Sequence, residues 1–437
     1  MTRSEVARLL RHPTLRGTVA VQGLGSVATL GTGLLIAWAQ GPAAQGHYAW
    51  LRASADLLLA LALLGLPQGI VHLLGRHRAR PAAVWRTVLG YTVPLALAGL
   101  LLAVAHDAGW LALPWQGPDG PPVLAWLFAL GVLGWTLHAL QRALVLCLGS
   151  TAAFSWLTAA PALVLLAVVA VQAARGSSAW EWALAASGLA SAALGALLLG
   201  RAARQPNWRL GGAVRPGELV RASGHAFWHV VAMSLQPWLA LALLQATGGG
   251  ARELGWFTLA VQVQLLWVLP AGYVVPLIHA RASAAGGGAP PLALRRPLFA
   301  AAALAALAAA VVAAALPWAV PAALGERYAE AVAACVCMAL GGPAAMLGRL
   351  GAALLLGQGR FAAASVLHAL RLLLMAAGIA AWSLVFRQPG EGISSVTAVA
   401  LAWTLSEVLV ALATFALRPE MGGMGGDRDA AAATAAQ

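Results

Sequence analysis

The chain has 437 residues, of which 61% are hydrophobic and 9% charged, with mean hydropathy +0.80 and a formal charge of +13. Soluble domains carry roughly 25% charged residues. Composition therefore excludes a soluble globular protein, and with it the nucleic-acid partner that such a charge would suggest there; an all-α polytopic membrane protein remains.

The first 16 residues, "MTRSEVARLLRHPTLR", are polar and basic and run directly into an apolar segment. They lack the short apolar core and small-residue cleavage site of a removable signal peptide. A membrane-crossing helix needs about 20 apolar residues. By that rule spans are predicted at 17–39, 48–74, 87–106, 122–148, 151–173 and 180–200, and again at 225–246, 255–279, 297–318, 330–356, 361–385 and 394–417. Twelve helices in two six-helix bundles result, with domains at 1–200 and 225–418. Between them, 201–224 is an arginine-rich amphipathic connector whose "PGELVRASG" is expected to lie as a short helix on anionic lipids of the inner leaflet. The stretch "SAAGGGAPP" (283–291) is a flexible loop, and 419–437 is a low-complexity, disordered tail.

All 27 basic residues are arginine, and their placement sets orientation. With the N-terminus cytoplasmic, twenty fall in inner segments and five (Arg52, Arg175, Arg252, Arg327 and Arg387) on the outer side. Both termini are thus placed in the cytoplasm. Many tryptophans, including Trp50, Trp85, Trp110, Trp115, Trp180, Trp182, Trp256 and Trp318, fall near predicted span ends, as an aromatic belt requires. The longest outer loop, 106–122, carries only Asp107 and Asp119, read as turn residues beside Gly and Pro. Walker A, HExxH and GxSxG motifs are absent. The expectation is a protein that moves something rather than an enzyme, with no cofactor or metal. Cys147, Cys335 and Cys337 form no metal or redox pattern.

Ionisable residues inside spans mark function or structural pairing. Arg371 in the eleventh span and Glu407 in the twelfth both lie about 15 Å from the inner surface at 1.5 Å per residue. Antiparallel neighbours would bring them together, either as a structural ion pair or as a charged element of a cavity, with His368 three residues from Arg371. On the twelfth span Thr397, Thr404, Glu407, Ala411 and Thr414 fall on one stripe. Arg349, about 12 Å from the inner end, either lines a cavity or snorkels to headgroups, and Gly341, Gly342 and Pro343 predict a bend before it. The seventh span puts His225, His229 and Gln236 on one face ahead of Pro237; His225 and His229 have metal spacing but no third ligand. The eighth span adds Thr258, Gln262 and Gln264. His138 and Arg142 are four apart, with Arg142 assigned to the interface. Arg52 and Asp56, also four apart, form an intrahelical brace, or Arg52 meets a phosphate. In the first span Gly23, Gly25, Ser26, Gly31 and Gly33 suit close helix contact.

The segment "WAQGPAAQGHYAWLRASADLLLALALLGLPQGIVHLLGR" (38–76) resembles the first two helices of polysaccharide and O-antigen flippases of the multidrug/oligosaccharidyl-lipid/polysaccharide exporter superfamily. "GPAAQGHYA" is placed in the first outer loop, "LGLPQGI" in helix two, and "LLLGQGR" at the turn into helix eleven. The resemblance implies a V-shaped pair of bundles that turns a lipid-linked oligosaccharide across the bacterial inner membrane by alternating access, in concert with polysaccharide polymerisation proteins. It implies a cationic cavity, for which Arg349, Arg371, Arg52 and Arg142 are the arginine candidates, with His229, Gln236 and Gln262 beside them. Glu407, Asp56 and His368 are the candidates for ion pairing or coupling. The missing helix-one charge and missing extra pair of helices separate the chain from lipid II flippases. Two other classes stand against this: a drug/cation antiporter of the same superfamily, and a membrane scaffold subunit without transport.

Overall fold

In hydrocarbon every backbone polar group must be satisfied within its own segment or its neighbours, which favours long helices. The computed structural model describes residues 13–76, 79–110, 123–284, 295–357, 360–385 and 394–416, and these are almost wholly helical. In chain order the helices are α1 (Pro13–Leu63), α2 (Leu66–Arg76), α3 (Pro81–Asp107), α4 (Ala125–Cys147), α5 (Thr151–Ala174), α6 (Trp180–Ala202) and α7 (Pro216–Ala246). There follow α8 (Ala251–Ala284), α9 (Arg295–Leu324), α10 (Val332–Gly357), α11 (Phe361–Val385) and α12 (Ser395–Ala416). Short 3₁₀ turns stand at Pro206–Trp208 and Glu326–Ala331.

Among the described residues, eleven continuous helical stretches are long and apolar enough to cross a membrane, and the first covers two passes. It divides at Gly41, where φ 85° and ψ −175° leave the helical region and Pro42 opens a second limb. The chain is thus a multi-pass membrane protein whose twelve predicted passes are all present. Several predicted boundaries differ. "GPAAQGHYA" is not a loop: beyond the single residue Gly41 it is helix, because proline is favoured in a first helical turn. The second pass, predicted unbroken over 48–74, breaks at Leu64 and Gly65 before α2. "PGELVRASG" is not a separate surface helix but the first turns of α7, which runs on without interruption to Ala246. α10 also continues through Gly341, Gly342 and Pro343. There the two glycines serve close packing instead of a break: a Cβ at Gly342 would enter the Trp267 ring, and one at Gly341 would press on Thr404. The 285–291 part of the predicted loop, the 419–437 tail and Asp119 lie outside the described residues.

Asp107 is more than a turn residue. Its two carboxylate oxygens accept from the backbone N–H of Ala125 (3.0 Å) and Trp126 (2.9 Å), capping α4 from another helix. Of the predicted belt tryptophans, Trp110, Trp182 and Trp318 are exposed, whereas Trp50 and Trp180 are packed inside.

Two cores form on one side of the molecule. One gathers Ile36, Leu51, Phe128, Trp135, Val169 and Leu184; the other gathers Ile70, Val84, Leu144, Phe154 and Leu199. The largest core joins Phe257, Tyr328, Met338, Met375 and Trp403 on the other side. Close backbone approach between α4 and α6 is possible because Gly131, Gly134 and Gly188 face one another without room for a Cβ. Gly25 packs on Ala159 in the same way, whereas Gly23 meets nothing. Two helices belong to both sides. α1 gives Ile36 and Leu51 to one core and Ala37, Trp50 and Ala53 to the other. α7 gives Leu219 near its start to the first side and Ala240, Leu241 and Leu244 to the second. α3 lies at the periphery with Leu97, Leu101 and Leu102 exposed, as suits side chains facing acyl chains.

Candidate functional site

The ion pair expected between the last two helices is formed. Arg371 Nη2 on α11 stands 3.2 Å from Glu407 Oε2 on α12, with the side chains 2% and 3% exposed. Gln236 of α7 closes the group into a ring: its Nε2 donates to Glu407 Oε1 at 3.2 Å, and its Oε1 accepts from Arg371 Nη1 at 3.4 Å. α10 can lie across this triad because Gly348 has no side chain; a Cβ there would sit 3.2 Å from Arg371 Nη2. Two residues of the predicted stripe on α12 meet α10, with Thr404 donating to the Cys337 carbonyl (3.0 Å) and Thr414 lying against Gly351.

Beside the triad lies a cavity of about 320 Å³ between the two sides of the molecule. One wall is built from α2, α4 and α5 and carries Gln68, Arg142 and Phe154; the other, from α7, α8, α10 and α11, carries His229, Arg349 and His368. Arg142 lines this space with its guanidinium 5.9 Å from the Phe154 ring centroid. Arg349 opens into the same space. His229 and His368 meet edge to face, with ring centroids 4.5 Å apart. Neither ring nitrogen of His368 has a hydrogen-bond partner among the described residues. No carboxylate stands among the described residues lining the cavity, so Arg142 and Arg349 present positive charge from opposite walls into a partly apolar space. Such a site attracts an anion whose neighbouring groups are apolar.

The other candidates stand elsewhere. Arg52 Nε donates to Asp56 Oδ2 at 3.0 Å, and its guanidinium lies 4.0 Å from the centroid of Trp135. This is the intrahelical brace, stacked on an aromatic face, and neither residue lines the cavity. Gln262 presses against Gly33 on α1, in space that any Cβ would fill. The side chain of His225 lies outside the described residues, and no group of three metal-binding side chains occurs among those described. Sequence reasoning missed Gln68, whose Oε1 is buried without a partner among the described residues, and the contacts that Arg327 and Tyr328 make with α1. Gln68 stood within "LGLPQGI", the stretch carrying the family resemblance, which was the available signal.

No family model matches the chain, and no curated protein sequence matches it. Solved structures do. An inward-facing multidrug resistance MATE family transporter of the MOP superfamily superposes with TM-score 0.67 at 14% identity, covering 92% of this chain and 96% of the other. An outward-facing structure of a MATE family transporter gives 0.64 at 14% identity, over 94% and 96%. An Asp→Asn variant of the Vibrio cholerae MATE transporter VcmN gives 0.63 at 14% identity, over 92% and 95%. The chain therefore has the MATE-like fold of the MOP-superfamily transporters. At this identity the likeness speaks for the architecture alone.

Proposed function

We propose that this transporter-fold protein flips a lipid-linked oligosaccharide, an O-antigen or capsular or exopolysaccharide repeat unit on a diphosphate carrier, across the bacterial inner membrane. The observation that carries this reading is the pair Arg142 and Arg349, which face one cavity from opposite walls with no acid among its described lining residues. Guanidinium groups bind phosphate oxygens in bidentate fashion, and the surrounding Val71, Ala139, Met233, Ala352 and Leu356 suit the adjoining hydrocarbon. Alternating access between two six-helix bundles carries the headgroup across, with both termini cytoplasmic and anionic inner-leaflet lipids and polysaccharide polymerisation proteins as partners.

The MATE fold itself favours a second reading, a drug/cation antiporter, since the superposed structures are described as multidrug transporters. A cation carrier needs a carboxylate able to release and take up its ion. Here Asp56 is engaged by Arg52 and Glu407 by Arg371, which weighs toward anionic cargo.

The test uses purified full-length protein in detergent, with thermal unfolding followed against added polyprenyl diphosphate, polyprenol and ethidium. Stabilisation by the diphosphate alone, lost in Arg142→Ala and Arg349→Ala, is the expected result. Stabilisation by ethidium without any response to the diphosphate would overturn it in favour of the antiporter.

A further inference from the structure

Helix α1 ends its first limb with a defect. The carbonyls of Ala37 and Trp38 should accept from residues 41 and 42, but Gly41 has left the helical region and Pro42 has no N–H. Both carbonyls are taken up from the other side of the molecule. Arg327 Nη2 donates to Trp38 O at 2.6 Å and to Ala37 O at 3.2 Å. The next residue, Tyr328, donates through its buried hydroxyl to Gln45 Oε1 at 2.8 Å. Arg327 is itself fixed, with its Nε on Leu324 O at 3.2 Å and its own carbonyl accepting from Trp256 Nε1 at 2.8 Å. The second limb then meets α8 at backbone distance: a Cβ on Gly46 would strike Ala251 O, and one on Gly255 would strike Pro42 O. A side chain at Gly41 would meet both its positive φ and the Arg327 guanidinium, 3.2 Å from an added Cβ.

The same seam holds groups that disfavour closure. Gln45 Nε2 and Gln262 Oε1 are buried there without hydrogen-bond partners among the described residues. An unmade hydrogen bond in a dry interface is costly, and the same amide is satisfied once water reaches it. Closing this end therefore trades one unpaired atom on each of two amides against the carbonyls that Arg327 satisfies.

We infer that Arg327 and Tyr328 form a latch on the broken end of α1 that holds the Gly41 end of the transporter shut, and that its release opens that end. The inference rests on the transporter fold and is independent of which cargo is carried.

The test is double electron–electron resonance on full-length protein in nanodiscs, with the three native cysteines replaced. One nitroxide pair, at Arg175→Cys and Ala246→Cys, reports the Gly41 end. A second, at Arg201→Cys and Arg360→Cys, reports the opposite end. All four positions are exposed. Arg327→Ala should shift the first pair to longer distances and the second to shorter ones, and Tyr328→Phe should do the same to a smaller extent. Unchanged distances in both variants would overturn the latch. So would lengthening of both pairs together, which means general loosening. Should Arg327→Ala fail to fold, Tyr328→Phe, which loses one hydroxyl, decides alone.

Discussion

Arg371 and Glu407 stand 3.2 Å apart on neighbouring helices, almost entirely out of solvent, and are tied to a third helix through the amide of Gln236. Removing one member of a buried ion pair leaves an uncompensated charge, at a cost of about 3–5 kcal/mol, whereas apolar replacement of both is often neutral. Arg371→Ala and Glu407→Ala should each lower the thermal midpoint sharply. The double variant Arg371→Met/Glu407→Leu should recover most of the loss, as differential scanning fluorimetry of the purified protein will show.

Gly348 sets the space over that pair. A methyl group would sit 3.2 Å from Arg371 Nη2, a distance that a small shift of the guanidinium accommodates. A branched or long side chain would have to displace the pair or separate α10 from α12. Gly348→Ala should therefore be tolerated, and Gly348→Leu should lose about 1–3 kcal/mol, measured by the same unfolding assay.

The cavity arginines predict an effect on binding more than on folding. A hydrogen bond to a charged group is worth about 1.5–3 kcal/mol, so Arg142→Ala or Arg349→Ala should weaken binding of a polyprenyl diphosphate roughly 10- to 100-fold. Lysine at either position should recover the charge without the bidentate geometry and so restore only part. Microscale thermophoresis with a labelled diphosphate lipid gives the comparison directly.

Much of this site was legible in the sequence, because helix periodicity and depth are local properties. Counting residues from the span ends was enough to bring Arg371 and Glu407 to one level, and spacing alone paired Arg52 with Asp56. The twelve passes followed from apolar length. What sequence reading could not supply were relations across the two sides of the molecule. Gln236 was expected among substrate-binding residues, yet it is held by the ion pair, since its distance from α11 and α12 depends on tertiary packing. Gln262 was expected near cargo but lies on Gly33 in the seam. Arg327 was counted as one of five outer arginines, whereas its partners are two carbonyls made available by a kink nearly 290 residues earlier. Gly41 appeared as part of a loop because glycine followed by proline marks turns far more often than a one-residue break in a helix.

The α4–α6 contact gives a more severe prediction. Gly188 and Gly131 meet at backbone distance, as do Gly134 and Gly188, so no rotamer can relieve a substituent there. Gly188→Val should prevent accumulation of folded protein, seen as loss of the monodisperse peak in fluorescence-detected size-exclusion chromatography. Gly23→Val, at a position with nothing within 4 Å of an added Cβ, should run as the parent does.

Helix α7 has one end in the core of each side, with Leu219 in the core that holds Ile70, Leu144 and Leu199 and with Ala240 and Leu244 in the core that holds Phe257, Met338 and Trp403. A rocking of the two sides against each other cannot leave such a rod straight. Its weakest backbone point is Pro237, which offers no N–H to Met233 and lies next to the residue that holds Glu407. Flexing there would swing the Gln236 amide, so that a motion spread over the whole molecule would be converted into the exchange of a single hydrogen-bonding partner at a buried carboxylate.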